Sequence, residues 1–230
     1  MIKTIKVMLL PNNKQRTKLF ACAGAARFAY NWALAHEKDN HLNGGHFLSD
    51  SELRKKLTEL KKTDKFKWLN DYSNNITKQA IKDACAAYCR FFKKQCKFPR
   101  FKSRKKSKAS FYLDTNKMQF SGTHVQLEKL TNSRKTSKQK FNWIKLSEKN
   151  RIPLESKYIN PRVTFDGINW WISVGVEVSD STDLPQNDGI GIDLGLKQLA
   201  VCSDKNTYEN IIDRDYQASV NLYNYGKGIA

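Results

Sequence analysis

Aspartates near the end of the chain have the placement that a divalent metal site needs. Asp193 closes an apolar strand pattern and is followed two residues later by a glycine that allows a turn. Asp213 and Asp215 open a helical pattern. A carboxylate buried among apolar residues is costly unless a cation compensates its charge, and carboxylates that converge from separate elements bind Mg²⁺ in two-metal phosphodiester cleavage. Taken singly, Asp193 fits a turn cap and Asp213 a helix N-cap equally well.

A strongly basic segment lies between positions 93 and 108. It holds nine Lys and Arg residues and no acidic one. Four aromatic residues lie within it or just beyond it, namely Phe98, Phe101, Phe111 and Tyr112. Cations neutralise phosphates and aromatic rings stack on bases, so this composition favours contact with nucleic acid. The alternative is a solvated linker.

Positive charge is concentrated in the first 179 residues. The 230-residue chain has 41 basic and 22 acidic side chains, a net charge of +19. Residues 1–179 hold 37 basic and 14 acidic side chains, whereas residues 180–230 hold 4 and 8. Without a lipidation signal or a basic amphipathic helix, this surplus predicts nucleic acid as the partner and no membrane. A ribosome-associated or merely basic protein is the alternative.

Composition favours a folded cytoplasmic protein. Apolar residues make up 40% of the chain and aromatic residues 11%, which is enough to bury a core. The longest apolar runs are interrupted by Lys or Arg, so we expect no membrane span, and residues 1–6 are too interrupted for a signal peptide. Two sets of residues lack the spacing of zinc sites, and we interpret them as loop histidines and reduced thiols: His36, His41 and His46, and Cys85, Cys89 and Cys96.

Helical patterns occupy the first hundred residues. Residues 2–10 form a strand pattern that ends at Pro11, and a helical pattern follows over about 13–38. A capping box, Ser49 to Glu52, opens a second helix. A third helix is predicted over about 74–96, with four residues facing inward: Ile81, Cys85, Tyr88 and Phe92.

Strand patterns dominate from position 118 onward. They cover 118–128 and 141–146, followed by a hairpin in which 163–165 returns into 168–178 through an Asp-Gly turn. If the first strand joins this sheet, the helices form an insertion into a β-barrel. The sequence therefore predicts an α+β fold.

Several motifs, in the same order along the chain, resemble those of the TnpB proteins, the OrfB products of IS200/IS605 and IS607 transposons, which are small relatives of the Cas12 RNA-guided nucleases. They are Pro11, Gln15 and residues 27–31 (RFAYN) after the opening strand, residues 98–102 (FPRFK), residues 191–195 (GIDLG, similar to the first RuvC motif) and residues 213–222 (DRDYQASVNL, similar to the last). Within the last motif, Asp215 matches the family's catalytic position better than Asp213.

The resemblance implies three parts and two nucleic-acid partners. A wedge β-barrel would comprise residues 1–12 and 98–180, a helical recognition lobe residues 13–97, and a partial RuvC segment with an RNase H-like fold residues 188–230. A guide RNA derived from a transposon end would supply sequence specificity by base pairing, and the protein would hold double-stranded target DNA beside a short flanking motif. In a complete relative, the two aspartates and a glutamate would hold Mg²⁺ for catalytic cleavage.

The resemblance also assigns contacts and a location. Phosphate contacts are expected from the basic segment, at Lys93, Lys94, Arg100, Lys102, Arg104, Lys105 and Lys106. Reading of the flanking motif is expected at the start of the third helix, at Asn74, Asn75 and Lys78, because Asn side chains can address adenine edges. The expected location is the bacterial cytoplasm, at the nucleoid.

The chain departs from the family between Asp204 and Asp213. Where the family has further strands and helices, a glutamate motif and a CxxC…CxxC zinc ribbon, this sequence has eight residues. We therefore expect neither bound zinc nor efficient cutting. The chain is then a naturally shortened binder, an engineered or decayed fragment, or a full RNA-guided endonuclease whose central part is not represented, which the intact aspartates favour. A guide-independent RNA-binding protein is the alternative from another class.

Overall fold

The computed structural model describes residues 1–131 and 139–177, together with the backbone of residues 192–193, 198–202 and 207–209. The chain divides into two compact units, Met1–Asp180 and Ser181–Ala230. The described part of the first unit combines α-helices with a seven-stranded antiparallel sheet, and that of the second is a three-stranded antiparallel sheet. Helices together with antiparallel sheet confirm the α+β class at this level.

The large sheet joins the first residues of the chain to its middle. Its strands are β1 (Ile2–Leu10), β2 (Ser110–Tyr112), β3 (Gln119–Phe120), β4 (His124–Gln126), β5 (Trp143–Leu146), β6 (Tyr158–Phe165) and β7 (Trp170–Glu177). Their order across the sheet is β2-β6-β7-β1-β5-β4-β3. β1 pairs with β7 from Ile2 opposite Glu177 to Leu9 opposite Trp170. The prediction that the first strand joins this sheet is confirmed.

The predicted continuous strand over 118–128 is wrong. The chain forms a short 3-10 helix, Thr115–Lys117, and then the two short strands β3 and β4, which pair with each other. Gly122 lies between them at φ +75. A residue without a side chain reaches this left-handed conformation easily, so the chain turns back where a continuous strand was expected.

Three α-helices of the described residues pack beside this sheet: α1 (Asn13–Leu42), α2 (Asp50–Leu60) and α3 (Asn74–Phe92). The predicted capping box of α2 is present, because the Ser49 side chain accepts from the backbone of Glu52 and the Glu52 side chain accepts from the backbone of Ser49. The first helix is longer than the predicted 13–38. Small residues dominate the buried faces of α1 and α3 and let the two helices pack closely, among them Ala23, Ala29, Ala33, Ala80 and Ala84.

The third helix is shorter than the predicted 74–96. It ends at Phe92, and Lys94 adopts a left-handed backbone conformation with φ 57, which cannot continue a right-handed helix. Cys96 therefore lies beyond the helix and does not share a helix face with Cys85 and Cys89. The prediction that Phe92 faces inward is also wrong, because its side chain is 59% exposed.

The second unit is described through three short strands. β8 (Ile192–Asp193), β9 (Gln198–Cys202) and β10 (Thr207–Glu209) form an antiparallel sheet in the order β10-β9-β8. Asp193 is the last residue of β8 and pairs with Val201 of β9. In the described part of the chain, no helix combines the length and apolar character needed to span a bilayer.

Gln15 fixes the start of α1 to strand β5. Its buried side-chain amide donates to the backbone oxygens of Phe141 at 3.0 Å and Trp143 at 2.9 Å, and its Oε1 accepts from the backbone N–H of Asn12 at 3.0 Å. Removing these bonds takes a hydrogen-bond partner from partly buried backbone groups, which costs stability.

We expect Gln15→Ala to lower the free energy of unfolding by about 2–3 kcal/mol, since it removes one of the two capping-box bonds and both bonds to Phe141 and Trp143. Urea denaturation measures the effect. The control is Thr17→Ala, whose exposed hydroxyl bonds only to the helix backbone at Asn13, and which should change the free energy by less than about 0.5 kcal/mol. Equal losses in the two variants would contradict the role of Gln15.

Candidate nucleic-acid interface

The basic segment, residues 93–108, follows α3, and all nine of its Lys and Arg residues are at least partly exposed. Its central part forms a compact turn. Ser103 accepts from the backbone N–H of Ser107 at 3.1 Å through its carbonyl and from that of Lys106 at 3.0 Å through its hydroxyl, while the Ser107 hydroxyl accepts from the N–H of Ser103 at 3.1 Å. The cations between the two serines are therefore displayed by a hydrogen-bonded turn: Arg104, Lys105 and Lys106.

Asn31 of α1 holds the basic segment in place. Its side-chain amide donates to the backbone oxygen of Lys102, and its side-chain oxygen accepts from the backbone N–H of Lys102, both at 2.8 Å. Two of the segments that carry the family resemblance, residues 27–31 and 98–102, thus contact each other, although 71 positions separate Asn31 from Lys102.

Lys102, a predicted phosphate contact, lies against α1. Its ammonium is 3.8 Å from the centroid of the Tyr30 ring, a cation–π distance. Loss of water around the ammonium lowers the pKa of Lys102, while the nearby Asp83 carboxylate acts in the opposite direction. Its position suits anchoring of the segment as well as contact with a ligand.

A groove of about 530 Å³ lies between α1, the basic segment and the turn of the β6–β7 hairpin. We call it the basic groove, and it is lined by Phe20, Ala21, Ala23, Arg27, Arg104, Lys105, Lys106, Ser107, Lys108, Ala109, Phe165, Asp166 and Gly167. Phe20 is 41% exposed and adds an aromatic face to five cationic side chains. Cations along a groove with an aromatic wall suit a phosphate backbone and its bases.

One acidic residue, Asp166, lines the basic groove. One of its carboxylate oxygens accepts from the backbone N–H groups of Ile168 at 2.8 Å and Asn169 at 2.7 Å, and the other from Trp171 Nε1 at 2.6 Å. These hydrogen bonds, above all the one from Asn169, lower the pKa of Asp166 to about 2. The carboxylate thus stabilises the hairpin turn, and the net charge of the residues that line the groove is positive.

The basic groove also includes residues for which the sequence predicts no role in binding, namely Phe20, Arg27 and the hairpin turn. Arg27 was part of a motif without a stated role, and Phe20 belonged to an ordinary helical pattern. The spacing of seven residues between them, two helical turns, would have placed both on one face of α1. The hairpin turn lies about 60 positions after the basic segment, and nothing local indicates their contact.

An ion pair connects α3 to the sheet next to this interface. Arg162 of β6 donates to both oxygens of Asp83, at 2.8 and 3.0 Å, and Gln79 donates to one of them at 2.9 Å. Burial alone would raise the pKa of Asp83, but the hydrogen bonds from Arg162 and Gln79 lower it below its usual value. This bidentate pair fixes the orientation of α3 relative to β6.

We expect Asp83→Asn to lower the free energy of unfolding at neutral pH by about 1–2 kcal/mol, a reduced value because both partners are partly exposed. A carboxyl group with a lowered folded pKa stabilises the fold above its unfolded pKa, near 4, and loses this effect as the pH falls through the folded value. The difference in free energy of unfolding between wild type and variant should therefore become smaller below about pH 4. Urea denaturation at several pH values tests this, with Glu59→Gln of the exposed Lys62 pair as control. A gap that stays constant with pH, or equals that of the control, would contradict it.

A second groove of about 540 Å³ runs along the helices, between α2, the 3-10 helix Lys67–Asp71 and the start of α3. We call it the helical groove, and it is lined by Arg54, Leu57, Thr58, Lys61, Lys62, Lys67, Asn70, Asn74, Thr77 and Lys78. Of the three predicted readers of a flanking motif, Asn74 and Lys78 line it. Lys61 is buried and donates to Asn74 at 3.0 Å and to Thr77 at 3.2 Å, and burial lowers its pKa.

Asn75 is placed differently from its neighbours. Its side-chain amide donates to Asp114 Oδ2 at 2.7 Å and to Glu128 Oε2 at 3.5 Å. Glu128 also accepts from Ser73, the N-cap of α3, and from Lys117 at 3.0 Å. In this structure the donor atoms of Asn75 therefore connect α3 to the segment that carries β3 and β4, and do not line the helical groove.

The predicted metal-binding aspartates are only partly described. Asp193 is located through its backbone, at the end of β8, and Asp215 lies outside the described residues. Within residues 1–131 and 139–177, no group of three or more His, Cys, Asp or Glu side chains could hold a metal ion.

Comparison with known proteins connects the chain to a family. Residues 1–46 match the model of a helix-turn-helix domain of OrfB proteins of IS605 elements; here they form β1, α1 and the loop that follows. The chain is 29% identical over 211 residues to InsQ of Escherichia coli (strain K12), described as a candidate RNA-guided DNA endonuclease, covering 91% of this chain and 49% of InsQ. It is 33% identical over 108 residues to a protein of Streptomyces pristinaespiralis with the same description, covering 47% of this chain and 27% of the relative.

The predicted family resemblance is confirmed as a similarity: residues 1–46 match the OrfB domain model, and the alignment with InsQ extends the similarity over most of the chain. It spans about half the length of InsQ and about a quarter of the Streptomyces relative. A solved structure of a Cas12f1–sgRNA–target DNA complex aligns with 99% of this chain and 60% of that chain, at 14% identity and a TM-score of 0.43.

Proposed function

We propose that this protein binds a structured guide RNA and is directed by it to double-stranded DNA that carries a short flanking motif. The observation that carries the proposal is the basic groove, lined by Arg27 of α1 and by residues 104–108 of the basic segment. The Asn31–Lys102 hydrogen bonds fix these two parts of the chain to each other. The groove presents cations and aromatic faces without a free carboxylate, which suits an RNA backbone. The descriptions of the two relatives support the same role.

The proposed parts follow the family. Residues 1–12 and 98–180 would act as the wedge, residues 13–97 as the recognition lobe, and residues 188–230 as a partial RuvC segment. The guide RNA would contact the basic groove, and the duplex beside the target would contact the helical groove, where Asn74 and Lys78 are candidates for reading adenine edges.

Catalytic cleavage is not part of the proposal for this chain. Asp193 and Asp215 would contribute two carboxylates toward Mg²⁺, but the short connection between Asp204 and Asp213 leaves no counterpart for the family's glutamate motif. Two-metal cleavage requires a complete set of oxygen ligands, and these residues do not supply it. A full endonuclease with a longer central part, carrying Mg²⁺ and a zinc ribbon, is the second candidate, favoured by the two intact aspartates.

Sequencing of the RNA that co-purifies with the protein tests the proposal. We expect one discrete structured species, retained through a high-salt wash in wild type and depleted in the variant Arg104→Gln, Lys105→Gln, Lys106→Gln. A broad mixture that follows cellular RNA abundance would contradict the proposal and would favour the alternative, a guide-independent RNA-binding protein.

A further inference from the structure

An aromatic cavity of about 270 Å³ lies beside the C-terminal ends of α1 and α3. Its rings come from α3, from the loop after α1 and from the basic segment, and they are Phe47, Tyr88, Phe91, Phe92 and Phe98. The ring centroids of Phe91 and Phe98 are 5.2 Å apart, and those of Phe47 and Phe92 are 5.7 Å apart. Phe92 is 59% exposed and Phe98 50%, so the ring surfaces are open to a flat ligand.

A buried carboxylate, Glu37, lies in the wall of this cavity. The side chain is 4% exposed, and its Oε2 accepts from the backbone N–H of Leu48 at 3.2 Å. Its Oε1 is buried and receives no hydrogen bond from any residue that the structure describes. A buried acceptor without a donor is unfavourable, so the site has an unused capacity to accept.

Lysine residues lie in the cavity wall and on the chain next to it in sequence. Lys38 lines the cavity, and Lys93, Lys94 and Lys97 lie on the exposed chain between Phe92 and Phe98. An apolar protein partner would have to desolvate these ammonium groups, whereas phosphates beside a bound base would neutralise them. The charges therefore favour a nucleic acid with an unpaired base as the occupant.

We propose that the aromatic cavity binds one unpaired guanine base, stacked against its rings, with N1–H and N2–H donating to Glu37. Burial raises the pKa of Glu37, and two donors from a bound base favour its ionised form. The ionised carboxylate only accepts hydrogen bonds, and guanine has two adjacent donors on its Watson–Crick edge. Adenine, cytosine and uracil each place an acceptor next to a donor there, which a carboxylate repels. The volume is near the lower limit for ligand sites and suits a single base. This site is separate from the basic groove and does not depend on guide-directed binding.

The test measures the affinity of the full chain for labelled pentanucleotides at elevated salt, where backbone contacts contribute little. The probes are UUGUU, UUAUU, UUUUU and the inosine form of UUGUU, which lacks the N2 amino group. We expect UUGUU to bind at least about fivefold more tightly than UUAUU and UUUUU, with inosine between them. Equal affinities for all four probes would overturn the proposal. The deoxy form of UUGUU tests whether the site distinguishes RNA from DNA. Tighter binding of the RNA form would identify RNA as the ligand, and equal binding would show that the site recognises only the base.

Two variants separate stacking from recognition of the base edge. Glu37→Gln should abolish the preference for guanine, because an amide offers a donor beside its acceptor. Phe92→Ala should weaken binding of UUGUU by roughly 5- to 150-fold through loss of stacking. The matched control is Leu154→Ala, which is 53% exposed and lies outside the cavity. If Glu37→Gln does not fold, the proposal is tested by comparing the affinities of Phe92→Ala and Leu154→Ala for UUGUU. Equal affinities of these two variants would contradict it.

Discussion

Neutralising the cations of the Ser103–Ser107 turn should weaken RNA binding roughly 30- to 300-fold. The variant is Arg104→Gln, Lys105→Gln, Lys106→Gln, and each lost phosphate contact removes one site of counterion release. The slope of log Kd against log salt should therefore fall by about 2–3. Fluorescence anisotropy of the co-purifying RNA over a range of salt concentrations measures both quantities.

A control with the same change in charge is available on and beside strand β5. Lys140→Gln, Lys145→Gln, Lys149→Gln also removes three exposed cations, none of which lines the basic groove. It should change the affinity less than about threefold, as expected for loss of long-range attraction alone. If both triple variants lose the same affinity and the same salt slope, general basicity and not the groove is responsible for binding.

Releasing the basic segment from α1 should weaken RNA binding about tenfold without changing the salt slope. Asn31→Ala removes both hydrogen bonds to Lys102, and the segment must then be ordered when the ligand binds. The cations themselves remain, so the number of phosphate contacts in the complex is the same. This combination distinguishes lost preorganisation from lost charge.

The control for this variant is Asn13→Ala, an exposed asparagine in the first turn of the same helix. Affinity and salt slope should match wild type. An Asn31→Ala protein that binds as tightly as Asn13→Ala would show that the docking contact has no role in binding. A salt slope that falls in Asn31→Ala would show that the variant loses phosphate contacts rather than preorganisation.

Features with a local signal were predictable from the sequence. The capping box at Ser49, the helical patterns and the Asp-Gly hairpin turn each depend on residues a few positions apart, and all are present. Where prediction failed, the local signal was weak or misread. Gly122 marked a turn inside the strand predicted over 118–128, and the left-handed Lys94 that ends α3 has no characteristic residue type.

The sequence predicts which residue types form the candidate site but not how they contact one another. The density of Lys and Arg between 93 and 108 indicated an interface, and the resemblance singled out the segments around Asn31 and Lys102. The contact between those two residues arises because α1 packs on α3, which brings distant backbone into hydrogen-bonding range. The bonds from Gln15 to Phe141 and Trp143 span 126 and 128 positions and likewise have no local signal in the sequence.

The central claim is that a guide RNA directs the protein to DNA, and it is tested most directly by measuring how tightly the protein–RNA complex retains a DNA duplex. Purified protein carrying the co-purifying RNA, with its variable end made complementary to a labelled duplex, is compared with the same complex carrying a scrambled end. We expect at least about 100-fold tighter retention of the duplex with the complementary guide than with the scrambled one, and weaker retention when the flanking sequence of the duplex is changed. Equal retention with both guides would contradict RNA-guided binding.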